Sequence, residues 1–228
     1  MKTIRIMALP VILAVHGLTW SDWDEGLAAY NRGDYNAALR EWRPLAEQGH
    51  ADAQHSLGAM YGNGHGVPQD DKATVKWFRK AAEQGHIKAQ FNLGSMYGNG
   101  QGVPRDDEAA VKWYRRAAEQ GNDRAQYSLG LMYINGQGVH QDYKEAMKWF
   151  RKAAEQGFAS AQFDLGVMYH NGEGVSQDYV QAFKWFNIAE ANGNKGGASN
   201  RSLVAIKMTP AQVAEAKKLA KEWMEKHP

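Results

Sequence analysis

The stretch AQYSLGLMYINGQGVHQD, residues 125–142, decides the fold because it is not alone. It returns as AQHSLGAMYGNGHGVPQD at 53–70, AQFNLGSMYGNGQGVPRD at 89–106 and AQFDLGVMYHNGEGVSQD at 161–178. The copies stand 36 residues apart, in units spanning 50–85, 86–121, 122–157 and 158–193. A fixed period of this size marks a stacked array of small units. Each unit has an apolar face that it cannot bury alone, so its neighbours complete the core.

Within the first unit, Ala53, Leu57, Met60 and Tyr61 fall at helical spacing and give a first helix, A, with one apolar face. Gly58 sits inside that helix and recurs as Gly94, Gly130 and Gly166. Glycine in a helix costs about 1 kcal/mol, so its recurrence predicts close approach by another backbone. Asn63-Gly64 ends helix A, with Gly64 taking the positive φ of a C-cap and Gly66 relaxing the loop. Asp70, with Asp106, Asp142 and Asp178 in the other copies, N-caps a second helix, B. Capping accounts for these aspartates without a catalytic role.

Helix B carries Trp77-Phe78 and Ala81-Ala82. The aromatic pair returns as Trp113-Tyr114, Trp149-Phe150 and Trp185-Phe186. The alanines let helices close in and the tryptophans fill the space between hairpins. Gly85 closes helix B as its C-cap.

The A-x-x-x-L-G-x-M-Y-x-x-G-x-G-V, D, A-x-x-W and A-A-x-x-G pattern of residues 50–193 resembles the Sel1-like repeat, a branch of the tetratricopeptide superfamily. Thr74 departs where later copies have Ala110, Ala146 and Ala182, as does Glu190-Ala191 in the fourth. Neither threatens the fold. The resemblance implies an all-α chain, a right-handed α-solenoid of stacked helical hairpins.

The flanks read as ends of that stack. Gly26, Tyr30, Gly33-Asp34-Tyr35, Ala38 and Trp42 resemble a tetratricopeptide hairpin without the long G-x-G-V loop, so residues 18–49 form an N-terminal cap. Residues 194–228 form C-terminal capping helices. A short helix is expected near 200–206. A longer one starts at Thr209, with Pro210 at its first position and Gln212 completing a capping box. Met208 and Val213 make a hydrophobic staple, and Val213, Ala216, Ala220 and Trp223 form the inner stripe. Lys2 and Arg5 before an apolar run at 6–15, then Val15 and Gly17, read as an export signal over residues 1–17. This predicts a periplasmic or secreted protein with no membrane insertion after signal removal.

The resemblance also implies that helix A lines a concave groove. The A-helix positions left over from packing are Asp52, His55, Ala59 and Gly62 in the first copy. They become Lys88, Phe91, Ser95 and Gly98, then Arg124, Tyr127, Leu131 and Ile134, then Ser160, Phe163, Val167 and His170. Phe91, Tyr127 and Phe163 suggest an aromatic ladder, with Leu131, Ile134 and Val167 making the C-terminal half apolar. Lys88 and Arg124, with Asn92 close by, add cations. Such a surface suits an extended peptide, its carboxylates meeting Lys88 or Arg124. Alternatively the aromatics pack against adjacent helices and the groove is incidental.

Composition narrows the chemistry. There is no cysteine, hence no disulfide or thiolate site. The net charge of +2 falls to about zero once Lys2 and Arg5 leave, which argues against nucleic acid. His65, His140 and His170, assigned to A–B loops of different copies, show no metal-ligand spacing, so no metal is expected. The Gly-rich loops lack the Lys-Ser/Thr of a phosphate cradle, and no cofactor or nucleophile motif is present. The leading expectation is an exported scaffold binding a protein or peptide, and not an enzyme. The alternative is an envelope enzyme or cell-wall-binding protein. A cysteine-rich secreted branch of the family is linked to peptidoglycan or β-lactam binding, but its cysteines are missing here.

Overall fold

In a computed structural model, which describes residues 20–227, the chain folds into twelve α-helices with no strand among the described residues. The expected export segment lies outside the described residues. Helices α1 (Trp20–Asn31) and α2 (Tyr35–Glu47) form the N-terminal hairpin. The four repeats follow as α3 (Ala51–Asn63) with α4 (Asp71–Glu83), and α5 (Ile87–Asn99) with α6 (Asp107–Glu119). Then come α7 (Asp123–Asn135) with α8 (Tyr143–Glu155), and α9 (Ala159–Asn171) with α10 (Tyr179–Ala191). Helices α11 (Gly197–Ala205) and α12 (Pro210–Lys226) close the stack against α10. Contacts run only to elements near in sequence, the signature of a solenoid.

The ends of each helix follow from local chemistry. Asp70, Asp106, Asp142 and Asp178 each accept backbone N–H bonds as the N-cap of helix B. Gly64 caps α3 in the left-handed region at φ 68°, and its counterparts cap α5, α7 and α9 alike. At the end of α4 the cap is Gln84, not Gly85. Gly85 lies one residue further on at φ 91°, in a Schellman motif whose bonds are Gly85 N–H to Ala82 O and His86 N–H to Ala81 O. The shift leaves the Gln84 side chain free for a bond described below.

The core is a row of clusters, one at each junction. Ala81, Leu93, Met96 and Trp113 belong to one cluster, so each helix-B tryptophan packs on the preceding unit. The same holds for Trp149 and Trp185. Gly58 is buried for a different reason from the one expected. A Cβ there would stand 2.7 Å from the Phe78 ring, so a ring of the same hairpin, not a backbone, presses on the glycine. Tyr114, Phe150 and Phe186 press likewise on Gly94, Gly130 and Gly166. Backbone approach occurs instead in the loop, where a Cβ on Gly102, Gly138 or Gly174 would strike the start of the preceding helix B.

A buried amide clamp joins every unit to its neighbours. Gln54, Gln90, Gln126 and Gln162 are at most 4% exposed. Each donates Nε2–H to a carbonyl eight residues back, on Ala46, Ala82, Ala118 or Ala154, at 3.0–3.1 Å. Each accepts from a residue 30 positions on, Gln84, Gln120, Gln156 or Asn192, at 2.7–2.9 Å. One side chain thereby ties the end of helix B in one unit to both helices of the next.

The C-terminal capping box on Thr209 and Gln212 forms as expected, with Pro210 in the first turn. The short helix starts at Gly197, one turn earlier than expected. Gly197 lies flat on the α10 backbone, where a Cβ would meet Phe186 O and Glu190 N.

Candidate functional site

A row of open clefts follows the A helices. The first, about 480 Å³, lies between Trp23, Asp52, His55, His86 and Lys88. The second, about 290 Å³, lies among Gly62, Phe78, Asn92 and Ser95. The third, about 340 Å³, lies among Gly98, Tyr114, Ser128 and Leu131. Gly62 and Gly98 line the second and third clefts, and Ile134 and His170 stand at the same position in the later units.

The expected ladder residues are on this face, but their rings pair across each hairpin. Phe91 packs on Tyr114 at 5.7 Å, Tyr127 on Phe150 at 5.5 Å and Phe163 on Phe186 at 5.4 Å. All three are half-buried, so one edge meets the core and the other the face. Leu131, Ile134 and Val167 are also half-buried and pack against the clusters below. Lys88 and Arg124 are exposed. Asn92 bonds to the His55 Nε2 at 3.2 Å, linking two units. His170 is in the last turn of α9, not a loop; its Nδ1 is buried without a partner.

The first cleft is built from stacked histidines. His55 lies between Phe78 at 5.3 Å and His86 at 4.5 Å. Burial, reinforced by His86 and Lys88 and opposed by Asp52, pushes the His55 imidazole down to about 4, so it is neutral near pH 7. His86 Nδ1 accepts the Ala89 N–H as the N-cap of α5, and Nε2 meets Asp52 at 3.2 Å. Both His86 nitrogens are engaged, so neither is placed to activate a nucleophile.

The third junction repeats this geometry with other residues. Tyr127 packs at a tilt on Phe150 and, at 5.0 Å, on Phe158, and it lies beside Asp164. Asp164 was not singled out by the ladder reading. The signal was available one residue past each ladder position, where Ser56, Asn92 and Ser128 are neutral and Asp164 alone is acidic. Burial raises the Asp164 carboxyl, and burial with the adjacent Asp164 raises the Tyr127 phenol. Between these junctions, Tyr114 lies beside Ser95 and Ser128, and burial raises its phenol too.

Helix B presents a different surface. Lys80, Arg116 and Lys152 lie over Trp77, Trp113 and Trp149 at 4.5–4.7 Å, covering their outer edges. Arg79, Arg115 and Arg151 bond to the tyrosine hydroxyls of the next unit. These cations serve the stack. Among the described residues, no group of three metal-ligating side chains converges, and no helix is long and apolar enough to cross a membrane.

The Sel1 repeat model matches residues 51–86, 87–122, 123–158 and 159–194, more than half of the chain. The chain belongs to the Sel1 repeat family. Sel1 repeats generally mediate protein–protein interaction, and the family is commonly a non-catalytic scaffold. Among solved structures, the chain is similar to c5321, a protective antigen of uropathogenic Escherichia coli strains displaying an SLR fold. That match has 36% identity and a TM-score of 0.78, covering 91% of this chain and 47% of that one. The chain thus spans about half the length of that relative. It is also similar to a Sel1 repeat protein from Oxalobacter formigenes, with 32% identity and a TM-score of 0.76 over 88% of this chain and 82% of that one. No curated protein sequence matches the chain.

Proposed function

We propose that this Sel1 repeat chain is an exported scaffold that holds a protein or peptide partner along its A-helix face. The observation that carries the reading is the row of clefts lined by the residues that change from copy to copy. The repeated residues are absorbed by capping, stacking and the amide clamp. Lys88, Asn92 and Leu131 line these clefts, and Phe91, Arg124, Tyr127, Ile134, Phe163, Val167 and His170 stand on the same A helices at positions that vary between units. Half-buried rings beside exposed cations suit an extended chain with apolar and acidic side chains.

Export rests on Lys2 and Arg5 before the apolar run at 6–15. A 36% identical relative that is a protective antigen is consistent with that location. Mass determination of the mature chain tests it, with a start at Leu18 expected.

The binding role is tested by capture with crosslinking from envelope extract. Lys88→Glu with Arg124→Glu reverses two exposed charges without touching the core, so the fold should survive and partner recovery should fall at least tenfold. Undiminished recovery would contradict the role of this face.

A further inference from the structure

The third junction holds a carboxylate that the stack does not need. Asp164 occupies a position where Ser56, Asn92 and Ser128 serve the other units. It is half-buried, and its carboxylate lies beside the Tyr127 side chain, close enough to raise that phenol. Among the described residues it forms no ion pair, and no neighbouring cation acts on it. A partly desolvated carboxylate without a counter-charge opposes folding, so its presence calls for a compensation found elsewhere.

The surroundings indicate the form of that compensation. The Tyr127 ring lies between Phe150 and Phe158. Phe158 stands at the N-cap of α9, where His50, His86 and Asn122 cap their helices, and it makes no such bond. Its ring is spent on Tyr127 instead. A carboxylate without a counter-charge, beside apolar rings that keep water partly away, attracts a positive group through ion pairing.

We propose that Asp164 and Tyr127 receive a lysine or arginine side chain of the partner. This rests on the peptide-binding reading of the A-helix face and adds polarity to it. Exposed Lys88 and Arg124 belong to the second and third units and Asp164 to the fourth. A bound segment therefore places acidic groups toward Lys88 and a basic group at Asp164.

The test uses the full chain and a panel of fluorescein-labelled decapeptides, identical except at one central residue. That residue is arginine, lysine, citrulline, acetyl-lysine or glutamate, and binding is read by anisotropy. Arginine and lysine peptides should bind at least tenfold tighter than citrulline and acetyl-lysine peptides, with glutamate weakest. D164N should bring the ratio to about one. Asp164→Ser, which installs the residue of two other units, should do the same with unaltered helicity. A ratio near one on the native chain, or a ratio that survives D164N, overturns the assignment of Asp164 alone. If no peptide binds, charged or neutral, the peptide-binding reading of the face falls with it.

Discussion

The first and third junctions place four side chains in the same arrangement and make different sites from it. His55, Phe78, His86 and Asn92 in one are matched, two repeat lengths on, by Tyr127, Phe150, Phe158 and Asp164 in the other. In both, a helix-A ring rests on a helix-B ring, meets the residue that opens the next unit, and lies beside a polar side chain of the next A helix. The first junction surrounds a neutral imidazole with Asp52, His86 and Lys88, beside an open cleft. The third sets a carboxylate beside Tyr127, whose ring packs between Phe150 and Phe158. The geometry belongs to the repeat and the chemistry to the copy.

The shared geometry can be broken hardest at the helix-B ring. Phe150 is fully buried, and Phe150→Ala should lower stability by roughly 3–5 kcal/mol in urea unfolding. Phe78→Ala, from a ring 6% exposed, should do the same by a slightly smaller amount. An effect at only one junction would contradict their equivalence.

The amide clamp should matter equally in both regions. Gln126→Ala removes the bonds to Ala118 O, which keeps the Gly121 N–H, and to the Gln156 amide, at roughly 1–2 kcal/mol. Gln54→Ala should match it, since its bonds to Ala46 O and the Gln84 amide are lost in the same way.

Acid separates the two junctions. Folded His55 stays neutral down to about 4, whereas an unfolded histidine takes up a proton below about 6.5. The unfolded chain therefore binds more protons between these values, and stability falls as the pH drops from about 6.5 to about 4. The loss attributable to His55 should be roughly 2–3 kcal/mol. His55→Phe, which installs the residue of the second and fourth copies, should flatten that part of the pH–stability curve.

Asp164 runs the other way. Its carboxyl is raised in the folded state, so folding holds the proton to higher pH and stability declines as pH rises from the unfolded value toward the folded one. Asp164→Ser should therefore stabilise the chain at neutral pH by about 0.5–1 kcal/mol, and not at pH 3. A destabilised serine variant would mean that Asp164 serves the fold.

Much of the scaffold was legible because its signals are local. Asp70 and its counterparts cap within three residues, Gly64 ends a helix by its own φ, and the tryptophans recur at the repeat spacing. Longer-range features were not. Gln54 is plain in the repeated A-Q pair, but its role depends on a carbonyl eight residues back and an amide 30 residues on. Gly58 announced a close approach, yet the intruder is a ring that only the hairpin brings near. The ladder positions were found, while the direction in which Phe91, Tyr127 and Phe163 pair depends on the hairpin crossing, which periodicity does not encode. Asp164 stands one residue past the ladder, in a column where Ser56, Asn92 and Ser128 carry no charge, and its burial depends on the packing of the next unit.

The central claim is that the variable A-helix face, and not the repeated helix-B face, holds the partner. It is tested by capture of the same crosslinked partner on two charge-reversed proteins. One carries Lys88→Glu and Arg124→Glu; the other carries Lys76→Glu and Lys112→Glu, exposed lysines on α4 and α6 that line none of the A-helix clefts. Recovery should fall at least tenfold on the first and stay near the native level on the second. The reverse pattern, or equal loss on both, would contradict the account.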